Sequence, residues 1–297
     1  MDSISVTLKT VTPLFLTGAD GKTPELRAPS IKGMMRFWWR AMNGHLSIEE
    51  LRKKEGELFG SSDEKIGRSK FAFKILCSSN LKTDLYEPVP TKTFTAQAFV
   101  PELQFTLLLT ANSNFKEYEI ICNVLKVSLL LGGFGKRSRR GFGSIKIVNI
   151  NDSDFSFDYS PSSICNLLNT VVSDGFEVNA GNSKIKRKAK AHVDANYPYI
   201  DEIEIGDACK NYHILLKEIG KASHNAEPCD YTGFAGKNKR LASPIYVSIV
   251  QDDDGYKPII TTLNAAFESG HNIADTAASK RTAFISHILS AGKGCGK

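Results

Sequence analysis

Close cysteine pairs are absent from this 297-residue sequence. The six cysteines (Cys77, Cys122, Cys165, Cys209, Cys229 and Cys295) are scattered, with no CxxC or CxxxxC spacing. A thiolate zinc site draws two ligands from one short loop, so that chemistry is excluded and reduced thiols are expected. Long apolar runs are missing too, since none reaches the ~18–20 residues that cross a bilayer. The opening MDSISVTLKT alternates apolar and polar and has no signal-peptide core, so a cytoplasmic location is expected. Enzyme signatures are equally scarce. There is no GxSxG, HExxH or calcium-loop pattern, and the six histidines are not paired at metal spacings. No cofactor and no metal are expected.

What remains is an ordinary globular composition, 41% hydrophobic and 24% charged. At ~100–200 residues per domain, the length allows one large domain or two modest ones. The net charge of +6, from 38 Lys+Arg against 32 Asp+Glu, is too mild to argue from alone. Its distribution decides its meaning.

Ser3–Thr10 alternates with period two and predicts a strand. Ser30 precedes an amphipathic run, IKGMMRFWWRAMNG, as a candidate N-cap, with Asn43-Gly44 as the stop. A second helix, capped by Ser47 with Glu50 three residues on, runs to Phe59 before Gly60. Phe71–Cys77 and Leu103–Ala111 predict strands separated by a polar connection, Phe115–Leu131 a helix, and Ser144–Ile150 a strand. Through residue 150 the order is β-α-β-β-α-β with one extra helix, the ferredoxin-like split βαβ arrangement.

The second half is less legible. Ile164–Ser173, Ala208–Ala222 and Asp275–Ala291 predict helices, and Pro244–Gln251 with Lys257–Leu263 a hairpin. Gly181–Lys190 is polar and basic and predicts a mobile loop. The expectation is an α+β chain of two ferredoxin-like domains, 1–150 and a degenerate 151–297, each an antiparallel sheet covered by helices. No internal repeat proves duplication.

The first helix is the most informative stretch. At ~100° per residue, Ile31, Met34, Met35, Trp38 and Met42 share one side, while Lys32, Arg36 and Arg40 align on another with Trp39 at the border. Like charges at i,i+4 repel by a few tenths of a kcal/mol, so the stripe costs stability unless anions answer it. Two readings stay open: a solvated face salt-bridged to acids elsewhere, or a phosphate-tracking stripe with Trp39 stacking a base.

The second constellation is LLLGGFGKRSRRGFGSI, Leu129–Ile145, with Lys136, Arg137, Arg139 and Arg140 among five glycines. Glycine lets backbone approach a ligand, and arginine makes bidentate phosphate contacts. From Ile120 to Asn151 there are six cations and no acid. A Walker A motif fails because Arg137 follows Lys136, and a Rossmann loop fails because this loop follows a helix and opens a strand. A polynucleotide backbone is the better ligand, against the alternative of a flexible basic loop.

Weaker patches follow. Lys184, Lys186, Arg187, Lys188 and Lys190 with His192 form a third basic run, and Lys237, Lys239 and Arg240 beside Phe234 a fourth. Such runs are usually solvated, yet in this company they extend one electrostatic footprint. Asp252–Asp254 is by default an acidic turn. His45, just past the first helix, is a candidate general acid/base for RNA cleavage, though a His at a helix end is more often structural.

Four segments carry a resemblance: LRAPSIKGMMRFWWRA (Leu26–Ala41), ELFGSS (Glu57–Ser62), GGFGKRSRRGFGS and RLASPIYVSIV (Arg240–Val250). Together they resemble the RAMP superfamily of CRISPR proteins, and within it the first-subunit family of type III-B (Cmr) effector complexes. The resemblance implies two ferredoxin-like, RRM-like domains and a non-catalytic, RNA-binding subunit near the 3′ end of the guide RNA. Its implied partners are guide RNA, single-stranded target RNA and other RAMP subunits, with no membrane. It matches Lys32, Arg36, Arg40 and Lys136–Arg140 to RNA backbone contact, and leaves Arg240 as an RNA or inter-domain contact. In backbone subunits of related complexes an aspartate after the first strand cuts target RNA. Asp20 lies in the corresponding loop, but the resemblance implies no cleavage here. The chain departs from ordinary RRMs in lacking aromatic sheet signatures, so RNA is expected along the helix–loop face. The alternatives are a metal-independent endoribonuclease using His45 (or Asp20 with a metal), and an architectural subunit whose basic patches meet acidic neighbours.

Overall fold

The computed structural model describes residues 2–77, 81–89, 94–112, 114–181, 183–188, 197–225, 231–235, 240–264 and 277–294. The first half runs β1 (Asp2–Thr10), α1 (Ala28–Met42), α2 (Ile48–Phe59), β2 (Phe71–Leu76), β3 (Thr83–Tyr86), β4 (Ala96–Phe99), β5 (Gln104–Ala111), α3 (Tyr118–Leu131), β6 (Ile145–Ile150) and the short β7 (Ser153–Asp154). Its antiparallel sheet has the order β2-β5-β1-β6-β7. The first four strands in that order reproduce the split βαβ arrangement expected from the sequence. The polar connection after β2 holds an antiparallel β3–β4 pair that periodicity did not reveal.

α1 begins at Ala28, three residues before the expected start, with Pro29 in its first turn and Arg27 as N-cap without a side-chain bond. Proline is pre-set for that turn and lacks an N–H that would go unpaired there, so Ser30 sits inside the helix. α2 has the capping box read from the sequence, Ser47 and Glu50 exchanging bonds.

The second half holds α4 (Pro161–Val171), β8 (Phe176–Asn179), β9 (Lys184–Arg187), β10 (Ile200–Ile205), α5 (Tyr212–Asn225), the paired β11 (Phe234–Ala235) and β12 (Arg240–Leu241), β13 (Ile245–Asp252), β14 (Gly255–Leu263) and α6 (Ala277–Leu289). The sheet order is β13-β14-β10-β9-β8. Here β10-α5-β13-β14-α6 supplies three strands of a second ferredoxin-like sheet. β9, arriving before β10, fills the edge position that the last strand would take. This corrects the expected loop at 181–190, because Lys184–Arg187 is a strand between β8 and β10.

The two halves share their cores. α3 packs against β6 of one sheet and against β13 and β14 of the other. That position explains why it is buried nearly all round, from Ile121 to Leu131. One apolar cluster joins Val6, Leu8 and Trp38 to Ile164, Ile203 and Ile259, and the other joins Phe15 and Phe142 to Leu215 and Ile249. Among the described residues, Cys77, Cys122 and Cys165 carry free thiols. Cys209 is disulfide-bonded, so the expectation of reduced thiols fails there. No described helix is long and apolar enough to cross a membrane.

Candidate nucleic-acid interface

The cationic stripe of α1 forms as its periodicity requires. Ile31, Met35, Trp38 and Met42 are buried, while Lys32, Arg36 and Arg40 remain partly open. Glu55 of α2 answers two of them with a single oxygen: its Oε1 lies 2.6 Å from Arg36 Nε and 2.7 Å from Arg40 Nη1. The guanidinium of Arg36 also lies over the Phe59 ring at 6.0 Å, and the ammonium of Lys32 over Phe71 at 4.9 Å. Burial, and then the Arg36 charge, lowers the Lys32 pKa from its ordinary value. Glu55 is 11% exposed, whereas Arg36 and Arg40 are 37% and 38% exposed. The salt-bridged reading of the stripe therefore holds for Arg36 and Arg40, which share one carboxylate.

Trp39 corrects an expectation. It is only 4% exposed, packed edge-on against Phe59 at 6.4 Å, and offers no face to a base. The helix is covered from two directions, by the core and by α2, so its buried arc is wider than one stripe.

The Gly/Arg loop between α3 and β6 is fastened rather than mobile. Lys136 N–H donates to the Phe15 carbonyl, Phe134 N–H to Gly143, Gly143 N–H to Pro13, and Gly141 N–H to Val247, each at 2.8–2.9 Å. A Cβ on Gly143, at φ +67°, would sit 2.0 Å from the Phe134 carbonyl oxygen. At least these amides and this glycine serve chain packing, not the approach to phosphate expected from the sequence.

The loop cations divide. Lys136 and Arg137 are exposed, Lys136 Nζ donating to the Gly21 carbonyl at 2.7 Å and Arg137 taking φ +64° before a single 3₁₀ turn. Arg139 lies 4.8 Å over the ring of Tyr246. Arg140 points inward: Nη1 donates to the Ile245 carbonyl at 3.0 Å and Nη2 to Thr232 at 3.1 Å, with the Phe284 ring 5.1 Å away. Burial, and then the Arg137 and Arg139 charges, pushes its pKa down to about 10. Arg140 is thus corrected from a ligand contact to a structural one.

Tyr246 of β13 joins the two constellations. Beside Arg139, it touches Phe37 at 5.3 Å and Trp38 at 5.1 Å between ring centroids. The helix and the loop are therefore packed side by side through a largely buried aromatic cluster.

A model of the RAMP superfamily matches residues 7–146, the stretch holding both constellations. The CRISPR system Cmr subunit Cmr1-2 of Pyrococcus furiosus is 30% identical over 180 residues, 49% of this chain and 95% of that protein. The chain belongs to the Cmr1 family of RAMP proteins. The crystal structure of apo Cmr1 from P. furiosus superimposes with a TM-score of 0.60 at 20% identity over 97% of each chain. A chain of the type III-B Cmr-beta complex bound to cognate target RNA superimposes with a TM-score of 0.62 at 12% identity, over 97% of this chain and 99% of that one. Both likenesses show the fold.

In this Cmr1-family chain the third basic run is largely neutralised. Lys184 pairs with Glu202 at 3.2 Å and Glu204 at 2.9 Å, Lys186 with Glu202 at 3.4 Å, and Lys188 with Asp174. Arg187 turns into the protein, its Nη2 donating to the carbonyls of Ala41 and Met42 at 3.1 and 2.7 Å. Its guanidinium lies between Phe176 and Tyr199, at 4.8 and 5.3 Å, and burial pushes its pKa down to about 10. The expectation of RNA contact at Arg187 is corrected accordingly. Lys190, His192, Lys237 and Lys239 lie outside the described residues, as does the side chain of Arg240.

Among the described residues no group of three or more His, Cys, Asp or Glu that could hold a metal ion forms around the nuclease candidates. Asp20 accepts from Lys22 N–H at 2.9 Å and Thr23 N–H at 3.0 Å, and from the Thr23 hydroxyl. It shapes its own turn. His45 is half-buried in the turn between α1 and α2, where Tyr197 donates to the Asn43 and Leu46 carbonyls. Sequence reasoning missed Glu55 and Tyr246. Glu55 is an acid in a polar helix face, and Tyr246 lies within the RLASPIYVSIV segment already singled out.

Proposed function

We propose that this chain is an RNA-binding, non-catalytic subunit of a type III-B CRISPR (Cmr) effector complex in antiviral defence. It contacts guide and target RNA near the guide 3′ end and sits beside other RAMP subunits in the cytoplasm. Residues 1–150 and 151–297 form its two units; β1–β6 all end by residue 150, and only the short β7 extends that sheet further. The reading is supported by family membership and by the occurrence of this fold in a complex bound to cognate target RNA.

The observation that carries it is the partly open row of Lys32, Arg36 and Arg40 with one carboxylate among them, packed through Phe37 and Tyr246 against the loop that exposes Lys136 and Arg137. These five outward cations supply the phosphate contacts. Arg139 lies behind them, and Lys186 is a peripheral contact.

Salt titration tests the proposal. With about five phosphates neutralised at ~0.7 each, log K against log salt has a slope of about −3.5 for single-stranded RNA. Fluorescence anisotropy with a labelled oligonucleotide measures it. A salt-independent affinity overturns the reading.

A further inference from the structure

Apart from Phe59, which lies under Arg36, the ELFGSS segment has no role in the surface described so far, yet it shapes a hollow beside it. α2 ends at Phe59, and Gly60 adopts φ +84°. A Cβ there would lie 2.5 Å from Ser69 N, so only glycine lets the chain leave the helix this close to its return. The turn closes through Ser61 N–H to the Gly67 carbonyl at 2.9 Å and Gly67 N–H to the Asp63 carbonyl at 2.8 Å. The result is a shallow bowl of about 460 Å³, lined by Arg36, Arg68, Ser61, Ser62 and Ser69 together with Phe59 and two glycines.

Three properties of the bowl select its ligand. The bowl is wide open to solvent, unlike an enclosed small-molecule pocket, and its wall is hydroxyl and guanidinium where such pockets are usually apolar. Its two charged walls are both arginines, the residue whose fork matches a phosphate bidentately. Of the acids near the bowl, Glu55 pairs with Arg36 and Arg40, and Asp63 accepts from Lys65 N–H at 3.0 Å. Arg68 is exposed and makes no ion pair among the described residues. Ser61 and Ser69 accept backbone N–H groups of Asp63 and Phe71 at 3.2 and 3.5 Å, which leaves both hydroxyl protons to donate outward.

Arg36 belongs to the α1 stripe and to the bowl at once. We propose that the bowl binds a phosphate group of single-stranded RNA, held between Arg36 and Arg68, as the continuation of the strand that crosses α1. This rests on the RNA-binding reading above and adds Arg68, Ser61, Ser62 and Ser69 to it. The phosphate is either an internal phosphodiester or the terminal phosphate of an RNA end, and the two share this chemistry.

The test compares the full chain with Arg68→Ala, Arg68→Lys and the control Lys217→Ala, an exposed cation on α5. Each is titrated with salt against one single-stranded RNA sequence, with hydroxyl ends and with phosphorylated ends. Arg68→Ala is expected to make the slope of log K against log salt shallower by about 0.7, with Lys217→Ala unchanged and Arg68→Lys between. An equal loss for both RNAs identifies an internal phosphodiester; a loss confined to phosphorylated RNA identifies a terminal phosphate. If Arg68→Ala matches Lys217→Ala on both RNAs while the wild type keeps its steep slope, the bowl is overturned and the α1 surface stands. If the wild type itself binds without salt dependence, the underlying reading falls and the bowl with it. A thermal melt of each variant separates lost binding from lost folding.

Discussion

The guanidinium of Arg187 donates to the carbonyl oxygen of Met42, the last residue of α1, at 2.7 Å. Arg187 lies on β9 of the second half, so a cation from one half caps the helix that presents the cationic stripe of the other. Arg140 does the reverse, reaching from the first half to the carbonyls of Thr232 and Ile245. Two of the arginines that looked most suited to phosphate thus lock the halves together reciprocally. The proposed phosphate contacts are left to the cations around them.

Arg187→Ala should therefore destabilise the protein without touching the proposed interface. It removes charge-assisted bonds to Ala41, Met42 and Ile200 and two ring contacts, and leaves buried carbonyls unpaired. Hydrogen bonds to charged groups contribute ~1.5–3 kcal/mol each, not additively, so a loss of about 3 kcal/mol is expected. Arg187→Lys should recover little, because an ammonium cannot span three carbonyls from one plane. Urea denaturation measures both, and a wild-type midpoint for Arg187→Ala would refute the clamp.

Glu55 poses the opposite case. It occupies Arg36 and Arg40 from a mostly buried position, and any phosphate must compete with it. Partly exposed ion pairs contribute only ~0.2–1 kcal/mol, so the competition is weak. Glu55→Gln keeps the shape and removes the charge. RNA binding is expected to tighten roughly two- to five-fold at low salt, the equivalent of that energy. Weaker binding would show that the carboxylate matters more by positioning the two guanidinium groups.

How much of this was legible depended on whether a residue's environment was set locally. The alignment of Lys32, Arg36 and Arg40 follows from helical period alone, and so does the burial of Met35 and Trp38. Trp39 was misjudged because α2 covers a second side of the helix, a tertiary fact with no local signature. The glycines of the loop were legible as necessary but not as to purpose: Gly143 yields to the Phe134 carbonyl, not to a ligand. The basic run at Lys184–Arg187 reads as a solvated loop because its four residues carry three cations and a single apolar side chain, Ile185, too few for period-two alternation to show. Its charges are answered by Glu202 and Glu204 on the neighbouring β10, which only strand pairing brings alongside.

Asp20 offers a pH test of its structural role. Bonds from the Thr23 hydroxyl, then from the Lys22 and Thr23 amides, lower its pKa from the ordinary 3.8. A carboxyl depressed in the folded state stabilises the protein above its unfolded pKa, and that contribution disappears as pH falls through the folded value. The Asp20 carboxyl resonance should therefore titrate below pH 3.8 by NMR. Thr23→Val should move the midpoint back toward the ordinary value. A midpoint raised above 3.8 would instead mark a carboxyl poised for acid–base work, and would reopen the nuclease alternative.

Arg137 and Arg140, three residues apart in one loop, should fail in different ways. Arg137 is exposed and leads into the 3₁₀ turn, whereas Arg140 is sunk against Phe284 and bonded to two carbonyls of the other half. Arg137→Ala should leave the denaturation midpoint unchanged and make the RNA salt slope shallower by about 0.7, one lost phosphate contact. Arg140→Ala should cost about 3 kcal/mol of stability by unpairing buried carbonyls, while its folded fraction keeps the wild-type slope. Measuring both quantities on both variants separates the two roles. If Arg140→Ala lost binding and kept its midpoint, the inward-facing assignment would be wrong and the loop would have to open to meet RNA.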